Sequence, residues 1–238
     1  FWEDIRISAI GVAAGKGTRR NAEINKQFID LEGKAIVLRT IEKLVKDYLI
    51  DEVVVVIVKE EEAIYNEKVK PYIVTDKKVK LAYGGKERID SVKNGLALVD
   101  EASEIVIIHD GVRPFFSSQD IKAVIEGAAQ FDGCIIGVPV KDTIKVVDKN
   151  GFVFDTPDRA SLFAVHTPQA FKKKALIDAY KNYETSSTYN LPTDDASLVE
   201  HNKGRIKTVI GSYDNIKITT KEDLVFAKAI LHKYKEEE

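Results

Sequence analysis

At 238 residues the chain can bury a sizeable core, as one large α/β domain or two small ones. Its 36 basic and 38 acidic side chains leave a formal charge of −2, which excludes the broad basic field of a nucleic-acid-polymer binder and confines any anion site to a local one. A single cysteine, Cys134, excludes an internal disulfide, and no apolar run approaches the roughly 18 residues of a membrane span.

The N-terminus enters a strand within a few residues and shows no signal-peptide pattern, so a cytoplasmic protein with no membrane partner is expected. Ile7 to Ala13 reads as a buried strand. Apolar residues at Ile36, Leu38, Ile41, Leu44, Val45 and Leu49 give helical spacing over Ile36 to Leu49. The β-branched run Val53 to Val58 is that of a central parallel strand covered on both faces. Lys59 to Tyr72 reads as a charged surface helix stopping near Pro71, and Val79 to Tyr83 as a short strand leading into Gly84-Gly85. A helix over Arg88 to Val99 places Ile89, Val92, Leu96 and Val99 on one face. The strand Ile105 to Ile108 follows, then a helix N-capped by Ser118 and running to about Ala129, then strand again over Cys134 to Val138.

This βαβα alternation predicts a largely parallel sheet with helices on both faces. Around Pro139 the rhythm changes. Thr143 to Val147 and Phe152 to Asp155 read as strands joined across Asn150-Gly151, a strong hairpin signal. A hairpin cannot bury both of its faces alone, so residues 139–164 are expected to form an arm, inserted in a single domain spanning 1–238, that packs on a second copy of the chain. Beyond it come a helix over Lys172 to Tyr183, a polar loop over Thr185 to Pro192 and a helix opening at Thr193-Asp194-Asp195-Ala196. Strands over Arg205 to Ile210 and Asn215 to Ile218 and an amphipathic helix over Glu222 to Lys235 close the chain.

The chemistry concentrates where predicted strands end, which is where ligands sit in open α/β sheets. After the first strand, Ala13, Ala14, Gly15 and Gly17 leave backbone N–H groups bare for a polyphosphate, while Lys16, Arg19, Arg20 and Lys26 add cations. The spacing is neither that of a Walker loop nor that of a dinucleotide fingerprint. Taken alone, this segment serves equally as a solvated basic loop closing a strand. Gly84 and Gly85 permit close backbone approach, with Arg88 and Ser91 just beyond. Asp110-Gly111 follows a buried strand directly, placing a carboxylate for a ribose hydroxyl or Mg²⁺, or simply turning the chain. The histidines show no metal-ligand spacing, and His109 reads as a packing or orienting residue.

In order along the chain stand Ala13-Ala14-Gly15-x-Gly-x-Arg19 with Lys26-Gln27-Phe28, Gly84-Gly85-x-x-Arg88-x-Asp90-Ser91-Val92, and His109-Asp110-x-x-Arg113-Pro114. They are followed by Pro139-Val140-x-Asp142-Thr143, Asp158-Arg159, Thr167-Pro168-Gln169, Thr193-Asp194-Asp195-Ala196-Ser197 and Asp214-Asn215-Ile216-Lys217. This ordered set resembles the 2-C-methyl-D-erythritol 4-phosphate cytidylyltransferases of the non-mevalonate isoprenoid pathway. The resemblance implies a Rossmann-like α/β nucleotidyltransferase sandwich with a mostly parallel sheet and a protruding β-hairpin that joins a homodimer. It implies transfer of CMP from CTP to methylerythritol phosphate, with Mg²⁺ as cofactor and pyrophosphate as leaving group. Ala13, Ala14, Gly15, Lys16, Gly17, Gly84, Gly85, Arg88, Ser91, Asp110 and Gly111 would then hold the nucleotide. Arg19, Lys26 and Lys217 would stabilise the reacting phosphates, Asp110 and Asp214 would stand near the metal, and Thr143 and Arg159 would reach from the arm into the partner's site. Thr167, Thr193 and Lys217 would complete the sugar-phosphate pocket. Where many members carry Met-Gly, this chain has Arg20-Asn21.

Two other readings share many of these residues: a cytidylyltransferase for another polyol phosphate such as ribitol 5-phosphate, and a non-catalytic nucleotide-binding protein. The attacking phosphate oxygen is already anionic near pH 7, so the chemistry needs cations rather than a general base. Lys26→Ala is accordingly expected to abolish turnover while leaving the fold intact; near-normal kcat in a folded variant would refute that role.

Overall fold

The computed structural model describes residues 4–15, 25–186 and 190–236. β1 (Ile7–Ala13) is followed by a minimal hairpin, β2 (Asp30–Leu31) and β3 (Lys34–Ala35), then α1 (Ile36–Lys46) and β4 (Glu52–Ile57). Next come α2 (Glu62–Lys68), β5 (Lys78–Tyr83), α3 (Arg88–Leu96), β6 (Ile105–Asp110) and α4 (Ser118–Gln130). β7 (Gly133–Pro139) leads out to β8 (Val146–Val147) and β9 (Val153–Asp155), and β10 (Phe163–Lys172) returns. α5 (Lys173–Thr185), α6 (Asp195–His201), β11 (Ile206–Ile210) and α7 (Lys221–Glu236) complete the described chain.

Seven of these strands form one sheet in the order β11-β7-β10-β6-β1-β4-β5. β1 lies parallel to both β4 and β6, so the apolar runs at the centre are covered above and below. On one face Val53, Val55, Ile105 and Ile107 pack with Val37, Ile41 and Leu44 of α1 and Ile121, Val124 and Ile125 of α4. On the other, Val54, Val56, Val106 and Ile108 meet Val92 and Leu96 of α3, Leu176 of α5 and Leu198 of α6. A smaller cluster seats α7, through Ala227, on Leu31, Ile36, Phe115 and Ile218. The expected mostly parallel α/β sheet is therefore present.

Several local expectations are corrected. β10 runs antiparallel between β6 and β7 and was not foreseen, because Pro168 argues against a central strand. The proline is accommodated where the β7 pairing shifts register, between Val165 and Gln169. Asn215 to Ile218 forms no strand; Asn215 O accepts from Arg113 and Ile218 N donates to Val112 O instead. The α4 cap is Ser117 rather than Ser118: the Ser117 hydroxyl accepts from Asp120 N, and the Asp120 carboxylate accepts from Ser117 N. The Lys59–Tyr72 helix is broken into a 3₁₀ turn, α2 and a second 3₁₀ turn holding Pro71.

The hairpin β8–β9 is the tip of an excursion whose base is the pairing of Pro139 with Phe163. Gly151 takes φ +87° in its turn, where Asp148 accepts from the N–H groups of Asn150, Gly151 and Phe152. Tyr213 Oη donates to Pro139 O at 2.7 Å, fastening the base to the segment before Lys217.

Candidate functional site

A cleft of about 330 Å³ opens at the carboxyl ends of β1 and β6, lined by Ala13, Ala14, Gly15, Gln27, Arg88, Ser91, Asp110 and Lys217 among others. Crowding at the strand ends explains its small residues. A Cβ on Gly84 would lie 2.4 Å from Ala14 Cβ and 2.8 Å from Ser91 Oγ, so only glycine lets the two loops touch. A Cβ on Gly111 would lie 3.0 Å from both Ala13 Cβ and Val12 O. Ser91 Oγ accepts from Gly85 N at 3.1 Å and contacts Glu87 O at 3.3 Å, so this buried hydroxyl shapes the turn beside the cleft.

Asp110 is the electrostatic centre. Its Oδ2 lies 3.1 Å from Arg113 Nε and 3.7 Å from Lys217 Nζ, and its Oδ1 lies 3.7 Å from Arg88 Nη2. Burial alone would raise its pKa; Lys217, Arg88 and Arg113 outweigh burial and hold it at about 2. Arg88 also pairs with Asp195 at 2.8 Å, which keeps the guanidinium charged despite burial. Asp195 in turn accepts from Tyr180 Oη at 2.7 Å. Three cations against two carboxylates leave this group net positive, as suits an anion.

The neighbour of Asp110 has a different task. His109 Nε2 lies 2.8 Å from Arg113 O, which can only accept, so that nitrogen carries the proton. Nδ1 then accepts from Thr167 Oγ1 at 3.1 Å, and Thr167 Oγ1 accepts from Asp110 N at 3.0 Å. Burial pushes the His109 pKa down to about 4, the ring is neutral near pH 7, and both nitrogens are used. His109 thus orients Asp110 rather than serving as a base, and the Thr167 hydroxyl belongs to this internal chain.

The other expected residues are dispersed. Lys26 opens a short 3₁₀ turn, Lys26–Phe28, beside the cleft. Lys16, Gly17 and Arg19 lie outside the described residues. Thr143 and Arg159 are exposed on the arm, where Arg159 Nη1 donates to Lys141 O at 2.8 Å. Thr193 lines a separate cleft of about 300 Å³ with Tyr183 and His201. The Asp214 carboxylate turns to α7, 2.7 Å from Lys233 Nζ and 3.2 Å from Tyr234 Oη, and is not among the groups lining the Asp110 cleft. Among the described residues no three His, Cys, Asp or Glu side chains are grouped to hold a metal ion. Arg113 and Asp195 stood in the sequence motifs without a role. Glu61, bonded to Asn25 and Gln27, was hidden in the run Lys59-Glu60-Glu61-Glu62, which reads as a solvated face.

Residues 7–233 match the family model described as IspD, 2-C-methyl-D-erythritol 4-phosphate cytidylyltransferase. The chain is 46% identical over 232 residues to the 2-C-methyl-D-erythritol 4-phosphate cytidylyltransferase of Clostridioides difficile strain 630, covering 97% of this chain and 96% of that one. It is 42% identical to the protein of the same name from Caldanaerobacter subterraneus subsp. tengcongensis, covering 96% and 100%. Among solved structures, 4-diphosphocytidyl-2C-methyl-D-erythritol synthase from Anaerococcus prevotii superposes with a TM-score of 0.85 at 35% identity, covering 97% and 98%.

The depressed His109 pKa fixes the sign of a pH effect. The folded value of about 4 lies below the ordinary 6.5, so the unfolded state binds the proton first as pH falls. His109 stabilises fully above pH 6.5, and that contribution, on the order of 3 kcal/mol, is lost as pH falls towards 4. Urea unfolding across this window is expected to show a steeper acid loss for the parent chain than for His109→Gln; equal slopes would contradict the assignment.

Proposed function

Since the chain belongs to the 2-C-methyl-D-erythritol 4-phosphate cytidylyltransferase family, and is a CTP-dependent nucleotidyltransferase on that ground, we propose that the cleft at Asp110 is where CTP is held and attacked. Its products are 4-diphosphocytidyl-2-C-methyl-D-erythritol and pyrophosphate. The observation that carries the reading is the meeting of the small residues Ala13–Gly15 with the Gly84–Gly85 turn and a net-positive group centred on an ionised Asp110.

A phosphate oxygen of the polyol phosphate attacks the α-phosphorus in line. A new P–O bond forms as the bridge to the β-phosphate breaks, and the electron pair leaves on pyrophosphate. No proton has to be removed from the nucleophile, which agrees with a buried histidine whose two nitrogens are already bonded. Asp110 holds Lys217 at the cleft, while Arg19 and Lys26 supply further charge from the first loop. Arg88, clamped between Asp110 and Asp195, braces the floor. Losing one such cation raises the barrier by about 3 kcal/mol, in line with single oxyanion donors.

Asp110 and Glu87 are the carboxylates lining the cleft, and the ionised Asp110 fits Mg²⁺ held by one or two carboxylates together with substrate phosphates. When bound, Mg²⁺ would neutralise charge developing on the phosphates. Asp214, paired with α7, would have to leave Lys233 to join it.

The acceptor pocket requires a second copy of the chain. Phe152 and Phe154 on the arm are 73% and 68% exposed, an apolar surface that a two-stranded hairpin cannot cover. A homodimer covers it and brings Thr143 and Arg159 to the partner's cleft. No described helix is long and apolar enough to cross a membrane, and the reading is of a cytoplasmic enzyme.

Pyrophosphate release with CTP and Mg²⁺ is expected with methylerythritol 4-phosphate and not with ribitol 5-phosphate; the reverse selectivity would move the chain to another polyol phosphate. The pair Phe152→Ser and Phe154→Ser is expected to sediment as a folded monomer and to lose turnover. A fully active monomer would show that the arm does not complete the site.

A further inference from the structure

Residues 16–24, which include Arg19, run in sequence between Gly15 and Asn25, and side-chain amides hold both junctions. Asn25 Nδ2 donates to Gly15 O at 2.9 Å, while its Oδ1 accepts from Lys26 N at 3.1 Å. Two residues on, the buried Gln27 Nε2 donates to Ala13 O at 2.6 Å. Each carboxamide nitrogen has a second hydrogen, and both go to one carboxylate. Asn25 donates to Glu61 Oε1, and Gln27 donates to Glu61 Oε2 at 3.1 Å.

Glu61 reaches this point because the sheet delivers it. It ends the 3₁₀ turn Lys59–Glu61 that follows β4, and β4 pairs with β1 in a register that sets Ile57 beside Ala13. Only an acceptor-only group satisfies two converging amide donors; a carboxamide would turn an N–H towards one of them. The charge itself has no obvious use here. Burial raises the Glu61 pKa, and a carboxylate one residue behind an anion cleft opposes the ligand. What this carboxylate holds accounts for its presence.

We propose that Glu61 is a positioning residue for nucleotidyl transfer, acting through Asn25 and Gln27 to fix the Ala13 and Gly15 carbonyls and both junctions of the segment that carries Arg19. The inference rests on the reading of the cleft as the CTP site. Ala13, Ala14 and Gly15 line that cleft, and misplacement by about 1 Å costs rate on the order of 100-fold.

The test compares Glu61→Gln and Asn25→Ala with the parent chain in steady-state pyrophosphate release and thermal unfolding. Glu61→Gln keeps the volume but reverses one hydrogen bond, and is expected to lower kcat by about 10- to 100-fold. KM for methylerythritol phosphate should stay within about twofold and the melting midpoint within a few degrees, a split that a merely structural role would not give. Asn25→Ala, which frees one junction, should show the same pattern more weakly, and it decides the matter if Glu61→Gln does not fold. Parent-like kcat in the folded variants overturns the inference. So does tighter CTP binding at unchanged kcat, which would make Glu61 a matter of charge alone. Absence of turnover in the parent chain would instead overturn the reading of the cleft.

Discussion

A single ionised carboxylate, Asp110, at the carboxyl end of β6 ties together elements that are distant in sequence. Arg88 comes from the start of α3, Arg113 from the turn after β6 and Lys217 from the segment before α7. A buried charge is tolerable only when paired and hydrogen-bonded, and here two of the partners, Arg88 and Arg113, also hold something else. Arg113 carries Asn215 O, Arg88 carries Asp195, and Asn215 Nδ2 carries Thr167 O. Removing the carboxylate would take the shared counter-charge from Arg113 and Lys217 and leave Arg88 with Asp195 alone.

The sheet makes this arrangement possible by separating stability from chemistry. Its central strands are buried on both faces by aliphatic side chains, so the apolar core lies apart from the groups at the strand ends. Those ends can then be crowded with glycine, alanine and charge. At β1 the crowding is close enough that a methyl group at position 84 would overlap Ala14. The antiparallel β10 adds a further constraint, because it brings Thr167 against the His109-Asp110 backbone and supplies the donor to Nδ1 of the neighbouring histidine. The result is a cation-rich cleft whose walls are already hydrogen-bonded before any phosphate arrives.

The hairpin arm stands apart from this economy. Its base is locked by β-pairing and by Tyr213, yet its tip exposes two phenylalanines. Lys141, at the start of the arm, sits with its ammonium 3.7 Å from the centroid of the Tyr213 ring, so the arm and the segment leading to Lys217 share an anchor. A shift at the arm base would therefore be felt close to the cleft.

The alternation of apolar runs and helical spacing was enough to read most strands, most helices and the side of the sheet on which the site lies, because period and turn chemistry are local properties. That Gly15, Asp110 and Lys217, at or near the ends of predicted strands, would line the cleft was legible for the same reason: small or charged residues at strand ends are visible one loop at a time. Tertiary structure alone decided what those charges do to one another. It showed that Pro168 sits inside a strand at a register shift, that Asp214 faces α7, that Thr167 and His109 serve the backbone of Asp110, and that Glu61 accepts from Asn25 and Gln27. Each of these depends on contacts between residues far apart in the chain, which the sheet order creates and no local pattern encodes.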